Sequence, residues 1–314
     1  MKIAFFLDWE PMLEQIFTCQ DGLTKAMAVL REWGHDVKYF TVGRELVIPT
    51  PLHDIIMTDE PVEAIEAWQP EVILHWADCT RPNAEPLRKL GIPMALCFAG
   101  GAPINYTTYC FDHIFVESQV YKDVFDNADI SCSIAFGTNT DLFTPFPQQP
   151  KMFDVINPST FAQWKRHSLY AEATRGLRSL AVGHMYTDHE TECWEECLRQ
   201  GVTVLPYTSA EVLRYLYAAS KMCVVTSQSD GGSQRTVLEA MAMNIPLIVT
   251  DSDKFDFANG EVYRCAPEAE EIRSYIKAIL DDPDHEVNTR EFVLKHWSHI
   301  AYAKELERGL KAIL

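Results

Sequence analysis

The chain has 314 residues, 47% of them apolar, enough for two ordinary domains that each bury a core. Its formal net charge is −18, from 45 acidic and 27 Lys and Arg residues, and no basic cluster is dense enough for a nucleic-acid footprint or an anionic membrane surface. No apolar run approaches the ~18 residues of a membrane span, the stretch from Met1 to Asp8 turns acidic too soon for a signal peptide, and the scattered cysteines suit a reducing compartment, so a cytoplasmic protein is expected.

Strand and helix signals alternate from end to end, which predicts an α/β fold with parallel sheets. Lys2 to Leu7 reads as the first strand. A turn at Gln20 to Leu23 opens a helix through Arg31, with Leu23, Met27 and Leu30 on one face; Gly34-His35-Asp36 ends it, and Val37 to Val42 is a strand. Residues 43–60 are proline-rich and read as a loop. Val62 to Trp68 is helical, Val72 to Trp76 a strand, Ala84 to Leu90 a helix, and Pro93 to Phe98 a strand running into Gly100-Gly101. Ile114 to Glu117 and Cys132 to Ala135 are short strands around a helix at Gln119 to Phe125. Leu142 to Pro150 carries Pro145, Pro147 and Pro150, which fix φ and remove donors, so it reads as a stiff crossing between domains.

The second half starts afresh: a strand at Asp154 to Ile156, a long helix from about Trp164 to Arg175, a strand at Leu180 to Val182, a helix at Glu190 to Arg199 and a strand at Val202 to Leu205. Thr208-Ser209-Ala210-Glu211 reads as a capping box for a helix through Ala219. A strand at Met222 to Thr226 leads into the polar loop Ser227 to Ser233, which contains Gly231-Gly232. A helix follows with Val237, Ala240 and Met241 on its buried side, closed by Asn244, and then a strand from Pro246 to Thr250. A strand near Val262 to Arg264, a helix around Glu268 to Leu280 and a last helical segment to Leu314 complete the chain. Gly-x-Gly-x-x-Gly is absent, so nothing points to a classical dinucleotide site. Cys193 and Cys197, one helical turn apart with His184 and His189 upstream, admit a metal reading, but a helical cysteine pair in an apolar region reads first as core.

The loop and helix at residues 227–242 carry the chemistry. A glycine-rich turn opening a helix presents unpaired backbone N–H groups at a positive dipole end, which favours phosphate. Arg235 adds a planar cation suited to phosphate, and Glu239, a turn further on, can accept hydrogen bonds from a sugar diol. The bland alternative is a surface loop with a charged helix start.

The segment Ser229-Asp230-Gly231-Gly232-Ser233-Gln234-Arg235-Thr236-Val237-Leu238-Glu239-Ala240-Met241-Ala242-Met243-Asn244-Ile245-Pro246 resembles the donor-binding segment of the family 4-like (group 1) glycosyltransferases. That family carries a pair of glutamates ahead of Ala-Met-Ala and a proline. Glu239 matches the second; the spacing back lands on Gly231, with Asp230 beside it as the nearest acid. Further pieces are similar in the same order: Gly34-His35-Asp36-Val37, Pro70 to Trp76, Phe136 to Pro145, and Val202 to Ser220.

The resemblance implies a GT-B fold, two facing Rossmann-like doubly wound domains with parallel sheets and a cleft between them. It implies an acceptor-side domain over residues 1–147, a nucleotide-sugar donor domain over 148–290, and a helix over 291–314 crossing back to the first domain. It implies transfer of a sugar from a nucleotide-sugar to an acceptor hydroxyl, with retention and without metal or cofactor. Lys165 matches the lysine that binds the donor diphosphate, Gly22 the glycine of the first-domain loop, and Tyr207 and Thr208 the loop that meets the base. The candidate catalytic residues are therefore Lys165, Asp230 and Glu239. The candidate donor-binding residues are Gly22, Lys165, Arg166, Tyr207, Thr208, Gly231, Gly232, Ser233, Arg235 and Glu239. The family's partner arginine falls near Thr160 and is absent, with Arg166 or Arg235 as replacements, and its histidine is replaced around Ala99. His75, His113 and His184 are the other candidate histidines, each reading first as a satisfied structural residue, and no catalytic base is assigned. A nucleotide-sugar epimerase or hydrolase, and a degenerate sugar-nucleotide-binding protein, are the rival expectations.

Overall fold

The computed structural model describes residues 1–8, 20–49, 54–77, 82–98, 104, 106–185, 188–228, 234–250, 255, 258, 262–282 and 285–314. The chain divides into two units, Met1–Gly137 with Ser298–Leu314, and Thr138–Trp297. No helix among the described residues is long and apolar enough to cross a membrane.

The first unit is built on an eight-stranded sheet of β1 (Lys2–Leu7), β2 (Asp36–Val42), β3 (Leu46–Pro49), β4 (Asp54–Thr58), β5 (Val72–Ala77), β6 (Met94–Phe98), β7 (His113–Val116) and β8 (Cys132–Ile134). Their order is β3-β4-β2-β1-β5-β6-β7-β8; β3 runs antiparallel to β4 and every other pair is parallel. Its helices are α1 (Gly22–Glu32), α2 (Pro61–Trp68), α3 (Ala84–Arg88), α4 (Gln119–Asp126) and the C-terminal α11 (His299–Ala312). β1 is apolar throughout because both faces are covered. Ile3, Phe5 and Leu7 meet Leu23, Met27 and Leu30 of α1 and Leu306 and Leu310 of α11, while Ala4 and Phe6 meet Phe40, Ile73 and Leu96.

The second unit has a six-stranded, all-parallel sheet: β9 (Phe153–Pro158), β10 (Ser179–Gly183), β11 (Thr203–Pro206), β12 (Ser220–Val225), β13 (Leu247–Thr250) and β14 (Tyr263–Cys265), in the order β11-β10-β9-β12-β13-β14. Its helices are α5 (His167–Ala173), α6 (Asp188–Arg199), α7 (Ala210–Ala218), α8 (Gln234–Ala242), α9 (Ala269–Asp281) and α10 (Thr289–His296). One core face gathers Val155, Ala181, Met222 and Ile248 of the strands with Tyr170, Cys197, Ile272 and Ile276 of the helices. In both units the strand order reverses beside the first strand, at β1/β5 and β9/β12. The crevice outside the carboxyl ends at such a point is where open α/β sheets take ligands.

Four local expectations are corrected. Residues 43–60 are not all loop: β3 and β4 form there, and Pro49 is tolerated because β3 is an edge strand. The helix expected from Trp164 starts at His167, because Arg166 takes a left-handed conformation (φ 52°, ψ 48°) after a 3₁₀ turn at Gln163–Lys165. The cap of α7 is Ser209, whose hydroxyl accepts from Val212 N at 3.4 Å, rather than Thr208. The last segment is two helices, since Trp297 leaves helical geometry and Ser298 caps α11 by accepting from Ala301 N at 3.2 Å.

The unit boundaries fall at 137/138 and 297/298 rather than at the expected 147/148 and 290/291. Residues 138–147 pack with the second unit through Arg290, whose guanidinium donates to the carbonyls of Phe143 (2.7 Å), Thr140 (3.1 Å) and Ala242 (2.7 Å). Thr138 N also donates to Trp297 O at 2.9 Å.

Candidate functional site

At the carboxyl edge of the second sheet, three apolar runs end in a polar side chain that is fully buried: Asn157 near the end of β9, Thr226 just after β12 and Thr250 at the end of β13. A buried polar group is stable only when hydrogen-bonded, and these are bonded to one another's loops. Ser159 Oγ donates to Asn157 Oδ1 (2.7 Å), Asn157 Nδ2 to Thr226 Oγ1 (3.4 Å), and Thr226 Oγ1 to the Lys165 carbonyl (2.7 Å). The loop after β9 is thereby stitched to the start of the loop after β12.

Lys165 sits in that stitch. It closes the 3₁₀ turn, its N–H donating to Ala162 O at 2.9 Å, and its residue is buried. Next to it Arg166 sends its side chain back over the strand ends. Nε donates to Thr226 O (2.6 Å), and Nη2 to Ser227 O (2.9 Å) and Thr250 Oγ1 (3.1 Å). His167, first residue of α5, is buried with its ring stacked on Phe161 at 4.5 Å. Burial and the adjacent Lys165 charge push its pKa down to about 3, so it is neutral near pH 7. The strand β10 comes so close to this loop that only glycine fits at its end. A Cβ on Gly183 would stand 2.6 Å from the Ser159 carbonyl carbon and 3.0 Å from Thr160 N, and nearer still to the Ser159 oxygen.

Glu239 enters from α8. Thr236 Oγ1 donates to Pro158 O at 2.9 Å and anchors the helix start to the end of β9. Glu239 is buried, with Oε2 3.2 Å from the Tyr217 hydroxyl. Burial, with the Glu239 carboxylate second, raises the Tyr217 pKa well above its ordinary value, so the phenol stays protonated and orients the carboxylate. Arg235 is exposed at the second position of α8. Tyr207 and Thr208 follow β11, and the half-exposed Tyr207 ring stacks on His184 at 3.7 Å and 19°.

Gly22 lies in the other unit, buried as first residue of α1 behind Asp21, whose Oδ1 accepts from Thr24 N at 2.8 Å. Asp230, Gly231, Gly232 and Ser233 fall outside the described residues, as do Ala99 and His189 apart from the helical backbone of His189. The second unit thus brings Lys165, Arg166 and Glu239 to one sheet edge, with Arg235 on the same helix as Glu239.

The other titratable groups have structural surroundings. His113 lies between Ser131 Oγ (2.9 Å) and Ser133 Oγ (2.8 Å), and burial lowers its pKa. Buried His75 has Nε2 3.3 Å from Asp8 Oδ2. Cys197 is in the core, its thiol pushed up to about 12 by burial.

Asn157, Thr226, Thr250, Gly183 and Tyr217 were not singled out by the sequence. The first three did leave a signal: a lone polar residue ending an apolar run, as in Val155-Ile156-Asn157, Val224-Val225-Thr226 and Ile248-Val249-Thr250. Chemically, a lysine on a buried turn and an oriented carboxylate on the helix anchored beside it, at the switch point of a doubly wound sheet, suit an anionic, polyhydroxylated ligand.

Residues 158–282 match the family model described as glycosyl transferases group 1. No curated protein matches the chain. Among solved structures it is similar to sucrose-phosphate synthase (tll1590) from Thermosynechococcus elongatus, with TM-score 0.75 and 18% identity over 99% of this chain and 100% of that one. A glycosyltransferase from Rickettsia africae ESF-5 gives TM-score 0.76 at 14% identity, over 99% and 98% of the two chains. Anabaena Alr3699/HepE in complex with UDP and glucose gives 0.72 at 13%, over 99% and 100%. At these identities what is shared is the fold.

Proposed function

We propose that the chain, whose residues 158–282 match the group 1 glycosyl transferase model and whose fold is that of GT-B proteins, moves a sugar from a nucleotide-sugar to an acceptor hydroxyl, with retention and without metal or cofactor. The observation that carries the reading is the buried Lys165 turn at the β9/β12 switch point, bonded to the strand end that leads into the loop before Glu239. As the donor's C1–oxygen bond breaks, negative charge gathers on the leaving diphosphate, and Lys165 stabilises it inside a dry site. Main-chain N–H groups of Gly231, Gly232 and Ser233 and the cation of Arg235 are assigned to the same phosphates, Asp230 and Glu239 to sugar hydroxyls, Gly22 to the phosphate from the first-domain loop, and Tyr207 and Thr208 to the base. The acceptor oxygen bonds C1 on the face the phosphate leaves, and its proton passes to the departing phosphate. A uridine donor is favoured, since the HepE structures are described with UDP, with UDP and glucose, and with UDP-glucose.

The test is calorimetric binding of UDP, GDP and ADP and their glucose conjugates in EDTA, with Lys165→Ala alongside. Loss of one charge-assisted bond of ~1.5–3 kcal/mol weakens diphosphate binding about ten- to a hundredfold. Equal binding by wild type and Lys165→Ala sinks the site assignment. Free nucleotide released without any acceptor turns the reading to a hydrolase, and binding without turnover on a broad acceptor panel to a sugar-nucleotide-binding protein.

A further inference from the structure

The sequence offers Arg166 as a replacement phosphate ligand, and in the structure its guanidinium lies over the strand ends. The residue is one of four non-glycine residues with positive φ among those described. L-residues rarely hold that conformation unless the surroundings enforce it. Here the enforcement is visible. The left-handed turn swings the guanidinium away from the direction a continuing helix would give it and lays it across the ends of two strands. Its Nε–H and both Nη2 hydrogens meet Thr226 O, Ser227 O and Thr250 Oγ1. Thr250 Oγ1 in turn donates to Ser227 O at 3.2 Å, so both groups converge on one carbonyl. On the other side of the same junction, Gln228 N donates to Trp164 O at 2.9 Å. Residues 227 and 228, which begin the phosphate-loop candidate, are therefore gripped from both sides by the residues flanking Lys165.

We propose that Arg166 is a positioning residue that locks the Lys165 turn to residues 226–228, the root of the loop after β12, so that the lysine and that root present to the donor as one rigid piece. This rests on the donor-site reading above for what the piece binds, and on geometry alone for the lock itself. A planar fork reaching three acceptors across two strand ends is a task lysine cannot perform, whereas lysine can still serve a phosphate as a point charge.

That difference sets the experiment. Arg166→Lys and Arg166→Gly are compared with wild type for UDP affinity as a function of salt, and for amide exchange at Gln228. Glycine suits the left-handed backbone, so Arg166→Gly removes the fork while leaving the turn unstrained. The lock requires both variants to bind UDP about tenfold more weakly, at an unchanged dependence of log Kd on log salt, with faster exchange at Gln228. Thr250→Val, which keeps shape and removes one acceptor, reproduces part of the faster exchange. The proposal is overturned if Arg166→Lys keeps wild-type affinity and exchange while Arg166→Gly loses both affinity and salt dependence, the signature of a phosphate ligand. It also falls if Gln228 exchanges at the wild-type rate in both variants. Failure of wild type to bind UDP, GDP or ADP would remove the donor reading, and the exchange rates would still decide the lock.

Discussion

Gly183→Ala tests how closely the site depends on backbone fit. The new Cβ would lie 2.6 Å from the Ser159 carbonyl carbon and 3.0 Å from Thr160 N, and both are backbone atoms that cannot rotate away. Ordinary carbon–carbon contact needs about 3.5 Å, so the Ser159 peptide must retreat by about 1 Å. Overpacking of this kind costs roughly 1–3 kcal/mol, a fall of about 2–12 °C in the melting transition of a unit of this size. The displaced segment runs through Phe161, whose N–H donates to His184 O at 2.9 Å, directly into the Lys165 turn. A misplacement of ~1 Å near the reacting groups lowers turnover by about a hundredfold. Scanning calorimetry and initial rates with the best nucleotide-sugar read the two effects. Gly201→Ala is the control: its φ of +84° strains any L-residue, but nothing stands within 4 Å of the added carbon. It lowers stability by about 1–2 kcal/mol and leaves turnover intact. Wild-type turnover in Gly183→Ala, or an equal loss in the control, would refute the reasoning.

Gly309→Ala in α11 places a Cβ 2.6 Å from Phe115 Cζ and 3.2 Å from His113 Cδ2, so it destabilises the first unit by about 1–3 kcal/mol despite alanine's better helix propensity, as a lower melting transition. Arg290→Ala strands the carbonyls of Phe143, Thr140 and Ala242, and urea unfolding of the second unit shows a loss of about 2–4 kcal/mol. Stability also depends on pH through His167, whose folded pKa of about 3 lies below the ordinary value. Between that value and the unfolded ~6.5 the unfolded state binds the extra proton, so stability falls as pH drops through this window and is untouched above it. His167→Gln therefore flattens the dependence of the urea midpoint on pH between about 6 and 4, and an unchanged slope would count against a buried neutral imidazole.

Much of the fold was legible because burial leaves a mark in composition. β1 is expected from Lys2 to Leu7 and is found there, since a strand covered on both faces must be apolar along its length. Val237, Ala240 and Met241 are buried as the helical period requires, and Asn244 takes the left-handed conformation (φ 55°) expected at a helix end. What escaped were features whose cause is not local. β4 pairs in register with β2, Lys38 opposite Asp54, and no period in residues 54–58 announces that partner. The helix start at His167 depends on acceptors at Thr226, Ser227 and Thr250, 60 or more positions away in sequence.

The sequence by itself determined the alternation of elements, the two-part organisation and the presence of Lys165, Arg235 and Glu239 in a pattern resembling one enzyme family. Only the tertiary structure decided that Arg166 faces the strand ends, that Gly183 is needed for close approach rather than for its dihedral freedom, and that residues 138–147 pack with the second unit through Arg290. The division has a physical reason. Apolar periodicity and turn chemistry act between residues a few positions apart and so are written along the chain. Hydrogen-bond partners of a half-buried guanidinium, and the clearance above a glycine, are set by strands brought together from distant places, and exist only once the sheet has formed.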